Sequence, residues 1–318
     1  MDFEITAFTL QKIELHPTEL DDHSGLTDAS SINYVSIRGA ADQHASGPIP
    51  IPAPPPTRGD MLLRFLTARL LSHSSPRVPT QRTDATEDPL THFTNSHYQR
   101  INQRRLEHLA SLPLPLENRR VLEVGAGIGD LTPFFLDRNC EVVITEGRPD
   151  NLALLRQRYP QQPVRFLDLD DPPEDFGQRF DVVFCYGVLY HLSQPLKALA
   201  FLARHCDQLL LLETCVSYGE EPQLHPCAEN AALPTQSLRG IGCRPTRVWV
   251  YQQLARHFPY VYLPRTQPYH PEFPCDWSTP PPSSGLTRAI FIASRQPLSH
   301  PLLTPELLTR QVRCWFPS

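Results

Sequence analysis

The chain reads as an α/β protein built on a doubly wound parallel sheet, and three observations predict this. A short apolar run, Val121, Leu122 and Val124, breaks off into three glycines within five residues, Gly125, Gly127 and Gly129. From there strand-like and helix-like segments alternate, which is the pattern of a parallel sheet covered by helices on both faces. The 318 residues are 40% hydrophobic, enough for a sizeable core.

Taken in order, residues 1–57 read as an N-terminal extension with a small β appendage, because Phe3, Ile5, Phe8 and Leu10 alternate only in part. A proline-rich stretch at 47–56 reads as extended polyproline. Residues 58–93 read as an amphipathic helix over 60–71 followed by a polar, proline-punctuated linker. Thr94 or Asn95 can cap a helix carrying Tyr98, Ile101, Leu106 and Leu109, which stops before Pro113. After the glycines, Leu131, Phe134, Phe135 and Leu136 supply a helix stripe. Strands are expected at 141–145, 164–167, 181–186 and 208–212, with helices at 149–159 and 194–205.

Past Glu213 the rhythm breaks. Residues 214–245 and 264–285 are long stretches rich in Gly, Pro and polar side chains, separated by a helix at 246–257 and a strand at 260–263; a last strand follows at 287–293. Segments of that length in a compact domain serve as lids or binding surfaces, so both are expected to cover a substrate. The main domain is placed at 94–300, and the tail, 301–318, is expected to add a short helix over 306–314.

Composition narrows the partners. A net charge of −5 disfavours nucleic acid without excluding a local basic patch, and no apolar run is long enough to span a membrane. The amino terminus lacks a basic leader, and the eight cysteines are scattered without a C-x-x-C pair. A cytoplasmic protein with reduced thiols and no metal is therefore expected.

The glycine turn is a ligand site in waiting, since glycines let the backbone lie close to a bound molecule at the carboxyl end of a strand. Its register is G-x-G-x-G, and the third glycine of a dinucleotide loop would fall where Asp130 stands. Asp130 would also repel a pyrophosphate. A cofactor with a cationic centre and no phosphate suits Glu123 and Asp130 better. Glu146 ends the next strand 21 positions after Gly125, where a carboxylate can accept both hydroxyls of a ribose.

The motif E-x-G-x-G-x-G, together with G-V-L-Y-H-L-x-x-P over 187–195, resembles class I S-adenosylmethionine-dependent methyltransferases of the Methyltransf_11/12/23 type. It also resembles the tRNA wobble-uridine carboxymethyltransferase group. The resemblance covers roughly residues 94–293 as an architecture. It implies a seven-stranded Rossmann-like sheet closed by an antiparallel hairpin, and S-adenosylmethionine as cofactor. It assigns the cofactor to Glu123 (methionine end), Gly125, Ala126, Gly127 and Gly129 (loop), and Glu146 and Gly147 (ribose). Asp168 would accept from the adenine amino group, with Asp170 and Asp171 as alternative registers, and Leu169 line its ring, while Tyr186 and Gly187 edge the methionyl arm.

Tyr190 and His191 are the candidates facing the transferred group. His191 can act as a base for a hydroxyl acceptor or can brace its loop; Tyr190 can react, stack on the cofactor or pack. Arg244, Arg247 and Trp249, in GCRPTRVWV, are candidates for holding an anionic or polyhydroxylated acceptor. The expected activity is methyl transfer to an oxygen, or to a nitrogen or carbon, of a small-molecule or glycan-like acceptor. A tRNA-modifying enzyme is the alternative, with Arg100, Arg104, Arg105, Arg119 and Arg120 as its basic groove. A non-catalytic module that keeps the cofactor pocket as scaffold is the third reading.

Overall fold

The computed structural model describes residues 88–280 and 285–314, all within one compact unit, Pro79–Ser318. The expected β appendage, the polyproline stretch and the helix over 60–71 lie outside the described residues.

Two helices lead in: α1 (Pro89–Phe93) and α2 (Ser96–Ser111). Asn95 caps α2 by accepting from the His97 and Tyr98 amides, and the helix ends at Leu112, whose extended backbone is what a following proline imposes. Five strands are parallel: β1 (Arg120–Glu123), β2 (Glu141–Glu146), β3 (Val164–Phe166), β4 (Phe180–Tyr186) and β5 (Cys206–Cys215). Between them run α3 (Pro133–Leu136), α4 (Pro149–Arg158) and α5 (Pro195–Arg204). The helix after the glycine turn is only the four-residue α3, beginning beyond Thr132 and not at the last glycine.

Then come β6 (Leu224–Ala228), β7 (Ile241–Pro245), α6 (Arg247–Ala255), β8 (Tyr260–Pro264), β9 (Thr266–Gln267), β10 (Arg288–Ser294), β11 (Leu303–Thr304) and β12 (Val312–Arg313). The main sheet runs β11-β8-β10-β5-β4-β1-β2-β3, with β10 antiparallel to both β5 and β8. Seven of these strands match the expected sheet. The eighth, β11, is two residues at the edge, pairing with Leu263 and Pro264 of β8. The expected tail helix does not form: residues 303–304 and 312–313 are strands instead. β6 and β7 make a separate two-stranded ribbon inside a segment that reads from sequence as loop.

Alternation across the pleat splits the core in two. Val121, Val142, Ile144, Val182, Phe184 and Leu211 meet Ile101 and Leu109 of α2 on one face. Leu122, Val143, Val183, Cys185 and Leu210 meet Leu199 and Leu202 of α5 and Val250 of α6 on the other. With both faces covered, β1, β2, β4 and β5 are nearly continuous apolar runs, which is why they are legible. Strand order reverses between β1 and β4, so the crevice of an open parallel sheet falls at their carboxyl ends.

Candidate functional site

At those carboxyl ends lies a cleft of about 150 Å³, about half open to solvent. Its floor is the glycine turn. Gly125 has φ +61°, and a Cβ there would stand 2.4 Å from Val188, so only glycine lets β1 turn beneath the residues leaving β4. The Gly127 amide donates to Glu146 Oε2 at 2.9 Å, and the Arg148 amide to Oε1 at 2.8 Å. Burial pushes the Glu146 carboxyl up, and these amides oppose it. Each carboxylate oxygen accepts one of these amides and keeps a lone pair for another donor.

Beyond β3, Asp168 accepts from the Asp170 amide at 2.9 Å and from Arg239 Nη2 at 2.5 Å. Asp170 is buried and accepts from the Gln194 amide at 2.7 Å, which ties it to the start of α5. Gly125, Ala126, Gly127, Glu146, Gly147, Asp168, Leu169, Tyr186 and Gly187 all line the cleft, as do Tyr190 and His191.

The far end of the cleft is charged. Glu213, fully buried on β5, holds Arg105 Nη2 at 2.7 Å and Arg288 Nη1 at 3.1 Å. Arg288 also pairs with Glu272 at 2.6 Å and donates to the Tyr190 hydroxyl at 3.3 Å. Burial drives the Tyr190 hydroxyl well above its ordinary value, with Arg288 opposing, so it stays protonated. His191 sits in a short helical turn, Leu189–His191, with Nδ1 2.5 Å from Glu229 Oε2. Burial pulls the imidazole below its ordinary value and Glu229 opposes that, leaving a neutral ring at neutral pH.

Several predicted residues do not reach the cleft. Glu123 is buried under the turn, where the Thr132 hydroxyl donates to it at 2.7 Å; desolvation lifts its carboxyl to about 7. Gly129 packs against Tyr159, whose ring a Cβ would meet at 2.4 Å. Trp249 belongs to the core on the α5 and α6 face. Arg247 is buried over the Trp277 ring at 4.1 Å and donates to the Leu308 carbonyl, with burial lowering it to about 10. Arg244 braces from behind: it donates to the Tyr190 carbonyl at 3.2 Å and to Glu229 at 3.3 Å.

Sequence reasoning missed Arg105 and Arg288 as lining residues. Residues 234–236 and Leu238, between β6 and β7 and inside the stretch expected to cover a substrate, also line the cleft. Arg148 anchors that segment through the carbonyls of Ala231, Gln236 and Ser237, and Asn151 through that of Pro234. The signal was present: Arg148 and Asn151 open the helix after Glu146, where two polar side chains have no core to serve. Two buried atoms of lining residues, Tyr186 Oη and Arg105 Nε, lack a protein partner. Among the described residues, no group of three or more His, Cys, Asp or Glu is placed to hold a metal, and no helix is long and apolar enough to cross a membrane.

Residues 122–208 match the family model described as a methyltransferase domain. The tRNA U34 carboxymethyltransferase of Shewanella frigidimarina is 36% identical over 154 residues, 44% of this chain and 42% of that protein. The ubiquinone biosynthesis O-methyltransferase of Cereibacter sphaeroides is 30% identical over 119 residues, 36% of this chain and 47% of that one. The chain thus spans less than half the length of these curated relatives. The crystal structure of the N-terminal domain of EvdMO1 with SAH bound is 17% identical, with a TM-score of 0.48, over 64% of this chain and 85% of that one.

Proposed function

We propose that this chain, whose residues 122–208 belong to the methyltransferase domain family, transfers a methyl group from S-adenosylmethionine to an oxygen of a small or glycan-like acceptor. The observation that carries the reading is Glu146: a buried carboxylate, fixed by the Gly127 and Arg148 amides, at the carboxyl end of the strand beside the glycine turn. The residues present fit the cofactor. Glu146 retains acceptor capacity for two ribose hydroxyls, and the orphaned Tyr186 Oη and Arg105 Nε offer donors to an anionic arm.

When bound, S-adenosylmethionine would supply a methyl on a sulfonium sulfur, which a nucleophile takes as the sulfur leaves as a neutral thioether. The chain's own part is to position and to manage a proton. Gly125, Ala126 and Gly127 form the floor, Glu146 holds the sugar, and Asp168 and Leu169 hold the base. Residues 234–236 and Leu238 wall the cleft on one side, and orientation of donor and acceptor supplies most of such an acceleration. His191, neutral and partly exposed to the cleft, can accept a proton from a hydroxyl nucleophile.

A second reading, transfer of a carboxymethyl group to tRNA, takes its chemistry from the name of the Shewanella relative. It is favoured by Arg105 and Arg288, two guanidiniums lining the far end beside Tyr190, where a carboxylate on the transferred group would find cations. The test is transfer of label from methyl-labelled S-adenosylmethionine to extracted small molecules and to total tRNA. Label in an RNase-resistant small species supports the first reading; RNase-sensitive label from a labelled carboxylated donor, tested in parallel, supports the second. No label from either donor contradicts both.

A further inference from the structure

The segment between β6 and β7 supplies one residue that no sequence feature singled out. The Glu229 side chain is 2% exposed, yet it receives four donors. Oε2 meets His191 Nδ1 at 2.5 Å and the Ser237 amide at 2.7 Å; Oε1 meets Arg244 Nη1 and Nη2, both at 3.3 Å. An ionised carboxylate only accepts, so the proton shared with it belongs to Nδ1 of the ring. That leaves the Nε2 lone pair as the proton-accepting position of His191, a residue that lines the cleft.

The packing around Glu229 is equally particular. A Cβ at Gly242 on β7 would stand 2.4 Å from the Tyr190 carbonyl oxygen and 2.8 Å from Glu229 Oε1, so glycine there is what lets β7 lie against both. Burial alone would raise the Glu229 carboxyl. The His191 hydrogen bond, the Ser237 amide and Arg244 outweigh burial and hold it below the usual carboxylate range.

We infer that Glu229 is a positioning residue for His191: it fixes the Nδ1–H tautomer, so that Nε2 takes the proton of the incoming hydroxyl and the resulting imidazolium stays paired with the carboxylate. The inference rests on the transferase reading above. It deepens that reading by making the segment that covers the cleft a contributor to its acid–base chemistry. Merely bracing the loop would need neither a free Nε2 nor a charged partner.

Nitrogen-15 NMR of the full chain with labelled histidine tests this without an acceptor. The expected result at neutral pH is a protonated Nδ1 and a pyridine-like Nε2 for His191. Glu229→Gln, which removes a charge in contact with the ring, lowers its titration midpoint by at least about one pH unit and mixes the tautomers. Carbethoxylation of His191 by diethyl pyrocarbonate, mapped by mass spectrometry, becomes severalfold slower in the variant than in the wild type. A protonated Nε2 in the wild type overturns the inference, as does an unchanged titration and carbethoxylation rate in Glu229→Gln. The wild-type tautomer needs no variant and decides the matter even if Glu229→Gln does not fold. Protection of His191 by added S-adenosylmethionine bears on the transferase reading instead: its absence counts against that reading and leaves the role of Glu229 standing.

Discussion

Arg239 Nη2 donates to Asp168 Oδ2 at 2.5 Å, tying the segment between β6 and β7 to the end of β3. The Arg239 side chain is about half exposed, and Asp168 is the acid that the resemblance would place at the adenine amino group. Both Asp168 oxygens are already in use, Oδ1 by the Asp170 amide. A ligand that reaches Asp168 shares Oδ1 with the Asp170 amide, or shares Oδ2 with Arg239 or pushes Arg239 aside.

Arg239→Ala is therefore expected to leave folding stability unchanged, because a water-exposed pair contributes little. Its effect falls on kinetics. Dissociation of S-adenosylmethionine, followed by stopped-flow fluorescence, is expected to be severalfold faster than in the wild type. Equal dissociation rates would mean that this contact does not hold the segment closed.

Two buried groups pull stability in opposite directions with pH. Glu123 titrates near 7 when folded and at 4.5 in its ordinary state, so the folded chain keeps a proton that the unfolded chain gives up. Its contribution is complete below 4.5 and lost as pH rises to about 7, on the order of 3 kcal/mol at most. His108 is buried with its midpoint near 4, desolvation outweighing its hydrogen bond to Thr266, so its neutral form is favoured and stability falls as pH drops from 6.5 to 4. In the wild type the two partly cancel. Urea midpoints measured between pH 4.5 and 7.5 are expected to rise with pH in Glu123→Gln and to fall with pH in His108→Gln.

The buried network at the far end of the cleft gives a larger effect. Glu213→Gln removes the buried charge that pairs with both Arg105 and Arg288, at a site almost closed to solvent. Breaking such a pair costs about 3–5 kcal/mol, or roughly 10 °C in a chain of this size. Thermal unfolding checks it; a shift of a degree or two would show that water or a rearranged Glu272 takes over.

Gly242→Ala isolates the fit of β7. The added methyl meets backbone at Tyr190, which cannot yield as a side chain can. Destabilisation of about 1–3 kcal/mol is expected, together with disordering of the His191 ring signals. Wild-type stability and ring signals would contradict the close approach.

Much of the fold was legible because β1, β2, β4 and β5 are buried on both faces and so read as apolar runs ended by turn residues. The lining of the cleft was legible where a residue stands at or just beyond a strand end: Glu146, Asp168, Tyr186 and Gly187. Glu123 shows the limit of that logic, since its side chain points under the turn to Thr132. Arg247 and Trp249 mislead for a related reason. They follow a Gly- and Pro-rich stretch that reads as open loop, but that stretch folds back and α6 buries them against Trp277 and the sheet. Arg105, Glu213 and Arg288 meet only through tertiary structure, across 108 and 75 positions of chain, and no local pattern announces them. The two-residue strands β11 and β12 are too short to carry a periodic signal.

Calorimetric titration of S-adenosylmethionine into the wild type and into Glu146→Ala tests the central claim most directly, because one carboxylate is held to grip the sugar. Binding by the wild type and a loss of at least tenfold in the variant, about 1.4 kcal/mol, is the expected outcome. No heat with the wild type, or equal affinity in the two proteins, would contradict it.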